Sequence, residues 1–126
     1  SKKLKAKFTE KMKLTEKNVA YIFNTKEDLE ALGLDFSTVS RGMVNVMSGI
    51  EGINIWANFT YDATVDKVIC EFRSRGMSIV DIAKKYGGGG HDQACGATID
   101  SFEVAKEVLA DFDKRMEEFL SGAYTK

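Results

Sequence analysis

Short runs rich in β-branched and aromatic residues alternate with segments of helical periodicity along this 126-residue chain. Two of the runs are joined by a connection of hairpin length. Alternation of strands with helices predicts an α/β fold, and a hairpin makes its sheet mixed instead of all-parallel. The sequence therefore predicts a single α/β domain with a mixed β-sheet of about five strands and flanking helices. A chain of this size buries roughly two-thirds of its extended surface, enough for a core without disulfide or metal staples.

The elements follow in order. Asn18–Asn24, with Val19, Ala20, Tyr21, Ile22 and Phe23 between two asparagines, reads as a buried strand. Thr25 is placed to cap the next helix, with Glu27 and Asp28 in its first turn, Leu29 and Leu32 as its apolar stripe and Gly33 as its stop. A second helix is predicted over 37–48, where Val39, Met43, Val46, Met47 and Ile50 recur at spacings of three and four, ended by Gly49 or Gly52. Residues 53–59 alternate apolar and polar in their first half, and 66–72 place Val68, Cys70 and Phe72 on one face. These are two strands, joined through 61–66 as a hairpin. Ser78 with Asp81 three positions later is a variant capping box opening a helix over 78–86, whose Ile79, Ile82 and Ala83 face inward. Cys95–Ile99 is a short strand. Ser101 caps a long final helix with Phe102, Ala105, Val108, Leu109, Phe112, Met116 and Leu120 on its inner face.

Composition removes several functions. Hydrophobic residues at 44% and charged residues at 29% fit a globular protein and exclude a disordered tail. Eighteen basic against nineteen acidic residues leave a net charge of −1, which argues against coating duplex DNA by bulk charge. Cys70 and Cys95 alone make neither a disulfide framework nor a closed zinc site. No apolar stretch reaches membrane length, and the lysine-rich start is not followed by an apolar signal core. A cytoplasmic domain with no membrane partner is the expectation. Residues 1–13 carry six lysines and one glutamate. We read 1–17 as a linker or N-terminal extension and 18–126 as the domain.

The chemistry concentrates between Arg73 and Gly96: Arg73-Ser74-Arg75-Gly76, the helix, then Gly87-Gly88-Gly89-Gly90-His91-Asp92-Gln93-Ala94-Cys95-Gly96. Four consecutive glycines carry a heavy entropic cost on ordering. They suit a place where backbone approaches a ligand closely, and successive N–H groups can form an anion-holding nest. His91 can donate to a phosphoryl oxygen, and Arg73 and Arg75 can offer planar forks to phosphate. Each feature alone has a plainer reading: a slack connection, a surface histidine beside Asp92, two solvated arginines, and Cys95 as a small buried side chain. Trp56 and the methionines read as core. A metal site built on His91, Asp92 and Cys95 lacks a second histidine.

Taken together, the arginine pair, the short helix and Gly-Gly-Gly-Gly-His-x-x-Ala-x-Gly resemble the DHH-associated C-terminal domain of the DHH phosphoesterase superfamily. The likeness is above all to bacterial oligoribonucleases of the nano-RNase type, which also remove the 3′-phosphate of adenosine 3′,5′-bisphosphate (pAp). Cyclic-di-AMP phosphodiesterases and exopolyphosphatase-related proteins share the module. The specific motif spans 73–96, with a looser match in element order over 18–120, including Gly49-Ile50-Glu51-Gly52 before a strand. A related module of alanyl-tRNA synthetase has Arg-Pro after the glycines, so His91 favours the phosphoesterase branch. Two positions depart from the common pattern: Cys95, where relatives carry Ala or Ser, and Gln93, where many carry Asn.

The resemblance implies a substrate-binding domain for short RNA or nucleotide phosphates, lacking the catalytic metal domain. In the family, manganese is held by Asp and His residues of a separate DHH domain, including Asp-His-His. This chain has one histidine and no such sequence, so by the resemblance it holds no metal, carries no catalytic residue and is inactive alone. The residues expected to bind substrate are Arg73, Ser74, Arg75, Gly87, Gly88, Gly89, Gly90, His91 and Gln93. The expected partners are short RNA or a nucleotide and the DHH domain of a parent chain. The oligomeric state is open, a homodimer included. The alternatives are a stand-alone nucleotide- or RNA-binding module and the substrate domain of a cyclic-dinucleotide phosphodiesterase.

Overall fold

The computed structural model describes residues 11–33 and 49–124. Its elements run β1 (Lys13–Leu14), β2 (Ala20–Asn24), α1 (Lys26–Leu32), β3 (Ile55–Asp62), β4 (Lys67–Ser74), α2 (Val80–Lys85), β5 (Gly89–His91), β6 (Ala94–Ile99) and α3 (Phe102–Leu120). The strands form one mixed sheet in the order β1-β2-β3-β4-β6-β5. Among the described residues only β2 and β3 pair in parallel; every other neighbouring pair is antiparallel. The predicted α/β class with a mixed sheet and flanking helices is thus observed, with six strands instead of about five. The strands beyond the four placed individually from the sequence are the two edges, β1 and β5, which are two and three residues long. Neither Lys-Leu nor Gly-Gly-His carries the apolar alternation by which a strand is recognised. The helix expected over 37–48 lies outside the described residues.

Local chemistry sets the boundaries. Thr25 Oγ1 accepts from the Asp28 N–H at 3.2 Å while Asp28 accepts from the Thr25 N–H at 3.0 Å, a reciprocal capping box. Gly33 ends α1 in the left-handed conformation at φ 64°. Between β3 and β4, Asp62 accepts from the Thr64 N–H and hydroxyl, closing the turn that sets the register Asp62↔Lys67. At the other end of the chain, Lys13 and Leu14 pair with Tyr21 and Ala20, and the Thr15 hydroxyl meets the Asp113 carboxylate of α3. The sheet therefore includes part of the stretch read as a linker.

Helix α3 covers one face of the sheet. Ala105, Val108, Leu109, Phe112 and Met116 are buried in the core with Phe59, Val68, Cys70, Phe72, Cys95, Ala97 and Ile99. An edge-to-face series of rings runs Phe23–Phe59–Phe72–Phe112, with centroids 4.9–5.9 Å apart. Two sequence expectations are corrected here. Leu120 is 68% exposed; it is the last residue of α3, and Phe119 takes the inward position by packing on Tyr124. Ser78 and Asp81 do not form a capping box: Ile79 is the N-cap and no side chain caps α2. Asp81 is drawn instead to Arg115 of α3.

Candidate functional site

Alternation along β4 turns Val68, Cys70 and Phe72 into the core and leaves Ile69, Glu71 and Arg73 on the opposite face. Along β6, Cys95, Ala97 and Ile99 face the core and Ala94, Gly96 and Thr98 face away. The outward sets lie side by side, because Arg73 pairs with Ala94, Glu71 with Gly96 and Ile69 with Thr98. Beyond them, His91 pairs with Ala94 and Gly89 with Gly96. On the other side Trp56 of β3 pairs with Arg73. One row across four strands is therefore Trp56, Arg73, Ala94, His91. Two strand spacings, about 10 Å, separate the Arg73 and His91 backbones, with the small Ala94 between them.

This surface is an open groove of about 580 Å³, lined by Arg73 and Glu71, by His91 and by Gly87, Gly88 and Gly89. Its floor is low because the residues beneath are small. A Cβ on Gly88 would lie 1.9 Å from the Gly96 carbonyl oxygen, and one on Gly96 would lie 2.3 Å from that of Cys70. Backbone thus stacks on backbone over β6, an approach only glycine permits.

The arginine is half-committed. Arg73 Nη1 donates to the Phe72 carbonyl at 2.8 Å and lies 3.4 Å from Glu71 Oε2. Its Nε and Nη2 have no acceptor among the described residues, and the side chain keeps 26% of its exposure. A guanidinium carries five N–H donors, so a fork remains for an anion, with Glu71 steadying the charge behind it. His91 is exposed on the rim.

The residues expected to bind substrate divide. Arg73, Gly87, Gly88, Gly89 and His91 meet at the groove. Ser74 does not: it faces the core side, is buried, and donates its hydroxyl to the Met77 carbonyl at 2.6 Å. Arg75 follows β4 and lies 5.0 Å over the Trp56 ring, whose buried Nε1 has no hydrogen-bond partner among the described residues. Gly90 packs against β6, where a Cβ would lie 2.8 Å from the Ala94 carbonyl oxygen. Gln93 sits in the β5–β6 turn and its carbonyl accepts from the Ser74 N–H. The glycine run is also less free than a nest of four donors requires. The Gly87 and Gly88 N–H groups are donated to the Lys84 and Ala83 carbonyls at the end of α2, and Gly89, Gly90 and His91 pair with β6. The run is a helix stop followed by an edge strand.

Sequence reasoning overlooked Glu71. The signal was present, since the alternation that buries Cys70 and Phe72 sets Glu71 beside Arg73. Trp56 carried no comparable signal, because its place next to Arg73 depends on cross-strand register. Cys95 faces the core while His91 stays on the rim, so the two do not converge. Burial raises both thiols, that of Cys95 to about 11. Among the described residues no group of three or more His, Cys, Asp or Glu side chains could hold a metal ion. The resemblance places the manganese centre in a separate DHH domain, and no metal-assisted step is assigned to these residues.

A family model, the DHHA1 domain, matches residues 35–122. This chain belongs to the DHHA1 domain family. It is 36% identical over 111 residues to the bifunctional oligoribonuclease and PAP phosphatase NrnA of Bacillus subtilis, covering 88% of this chain and 34% of that protein. To the NrnA of Mycoplasma genitalium it is 35% identical over 102 residues, covering 81% of this chain and 31% of that protein. The chain thus spans about a third of the curated relatives it matches. Among solved structures, an exopolyphosphatase-related protein from Bacteroides fragilis superposes with a TM-score of 0.76 at 22% identity, over 92% of this chain and 36% of that one. A pGpG-specific phosphodiesterase, PggH, from Vibrio cholerae gives a TM-score of 0.64 at 18% identity, over 92% of this chain and 38% of that one. At such identities the structural likeness shows the fold.

Proposed function

We propose that this DHHA1 domain grips the nucleotide end of a short oligoribonucleotide or a nucleoside bisphosphate such as pAp. It would present the phosphate to a manganese-bearing DHH domain of a parent chain. The observation that carries this reading is the row Arg73–Ala94–His91. It sets Arg73, with its partly uncommitted guanidinium, and the exposed His91 on one face with their backbones about 10 Å apart, over a floor of small residues. A phosphodiester chain needs donors of that kind along a shallow track, and sugar or base needs room between them. Glycine at 88 and 89 keeps the wall low enough for the substrate backbone to lie against it. The relatives named oligoribonuclease and PAP phosphatase supply the substrate class. Hydrolysis itself is assigned to the partner domain, and this chain contributes binding and orientation. The donors of this reading are Arg73 and His91 with the groove surface, in place of four glycine N–H groups.

Substituting His91 tests the reading. His91→Ala is expected to weaken binding of pAp or of the ribodinucleotide pApA by roughly 1–3 kcal/mol, one hydrogen bond to a charged group, in isothermal titration calorimetry. Unchanged affinity removes His91 from the site.

A further inference from the structure

We infer that helix α3 positions His91 by remote control of α2, so that Arg115 and Asp111, which do not line the groove, decide where the imidazole stands. The inference rests on the groove being the nucleotide grip. His91 lies on β5, a three-residue edge strand with no buried side chain. Its ladder to β6 holds one edge and the Ser74 N–H holds the Gln93 carbonyl beyond it, but each end of the segment is also bonded to α2 or its N-cap. Before the strand, the Gly87 and Gly88 N–H groups are donated to the Lys84 and Ala83 carbonyls at 3.0 and 2.9 Å. After it, the Asp92 carbonyl accepts from the Ile79 N–H at 2.8 Å. Any shift or rotation of α2 therefore carries both ends of the His91 segment with it.

With only six helical residues, α2 is too short to hold its own geometry. Two polar clasps dock it on α3. At its start, Arg115 Nη1 donates to Asp81 Oδ1 at 2.9 Å and to the Ser78 carbonyl at 2.7 Å, while Nη2 reaches the second Asp81 oxygen. At its end, Asp111 Oδ2 accepts from Lys85 Nζ at 2.8 Å and from the Tyr86 hydroxyl at 2.6 Å. The charges are reciprocal and four residues apart on both helices: Asp81 and Lys85 face Arg115 and Asp111. A slip by one turn would set Asp81 against Asp111 or Lys85 against Arg115. The pattern thus penalises neighbouring registers as well as favouring the observed one. Arg115 also lies 5.6 Å over the Tyr124 ring, whose hydroxyl accepts from the Ser78 N–H at 2.7 Å. Tyr124 is thereby drawn into the first clasp.

The chain has a single histidine, so one imidazole Hε1 resonance reports its surroundings. In the full chain, Arg115→Met is expected to move that resonance and to weaken pApA binding roughly tenfold, the scale of one lost hydrogen bond. Arg115→Lys recovers part of both. The control Asp100→Asn, which breaks the distant Lys67–Asp100 ion pair, changes neither. In a His91→Ala background, Arg115→Met adds no further loss, since a residue acting through His91 is non-additive with it. An unmoved Hε1 signal in folded Arg115→Met, or equal affinity losses in both backgrounds, overturns the inference. If Arg115→Met does not fold, Asp111→Asn takes its place in the same measurements. If the wild-type chain binds no pApA, the grip reading falls, and the Hε1 resonance still decides whether α3 positions His91.

Discussion

Strands β4 and β6 present two faces that could hardly differ more, although successive residues of the same backbone build both. The inner face is Val68, Cys70 and Phe72 with Cys95, Ala97 and Ile99, closed under α3. The outer face is Ile69, Glu71 and Arg73 with Ala94, Gly96 and Thr98, open as a groove. Inner residues are large where they meet rings and make no demand on solvent. Outer residues include the charged Glu71 and Arg73 on β4 and are small on β6, so charge looks across a low floor. The contrast teaches that the inner face fixes position and the outer face uses it. Substitutions should separate cleanly into loss of stability and loss of binding.

The largest effect belongs to the inner face. Phe72 packs edge-on against Phe59 and Phe112, and Phe72→Ala is expected to cost about 3–5 kcal/mol in denaturant melts. Its neighbour on the outer face, Arg73→Ala, should change stability by less than about 1 kcal/mol. Equal losses at the two positions would erase the division between the faces.

The glycine run sharpens the same comparison at the next scale. Gly88→Ala forces a methyl group into the Gly96 backbone and should destabilise by roughly 1–3 kcal/mol through overpacking. A Cβ on Gly89 meets nothing within 4 Å, so Gly89→Ala should stay within about 0.5 kcal/mol. Thermal melts that rank the two in the opposite order would mean that Gly88 does not lie on β6.

The smallest effect is a pH dependence. Hydrogen bonding from Arg115 holds the Asp81 carboxyl below its ordinary value of 3.8. A carboxylate more acidic when folded stabilises the fold above its unfolded pKa, and that contribution is lost as pH falls through the folded value. Asp81 is 62% exposed, so solvent screening limits the term to about 0.5 kcal/mol. Asp81→Asn should flatten the acid limb of the stability profile below pH 3.8 by that amount and leave the neutral region otherwise unshaped. An acid limb identical in wild type and variant would deny the clasp its electrostatic part.

Much of this architecture is legible in the amino-acid sequence. Thr25 and Gly33 delimit α1, and the apolar alternation of 66–72 assigned Val68, Cys70 and Phe72 to one face, because caps and period-two burial are local properties. The edges were not legible. Lys13–Leu14 and Gly89–His91 gain their strand character from a neighbour's hydrogen bonds, which leave no mark in their own side chains. The same limit explains the site. Arg73, His91 and the glycines were recognisable by type and spacing. Their assembly with Glu71 and Trp56 is a matter of register between β3, β4, β6 and β5. Ser74 was misassigned because its neighbours point the other way: one position along a strand exchanges groove for core. The glycine N–H groups look available because the sequence places the helix end at 86 without disclosing that Gly87 and Gly88 turn back to bond its last carbonyls.

The outer face is the claim on which the rest depends, and its occupancy by a nucleotide can be read amide by amide. In a ¹⁵N–¹H correlation titration of the chain with pApA, shifts should concentrate at 69–73, 87–91 and 94–98. Residues around Phe112 and Met116, behind the sheet, should stay unmoved. Perturbations spread evenly over the molecule, or absent from the row that joins Arg73 to His91, would contradict it.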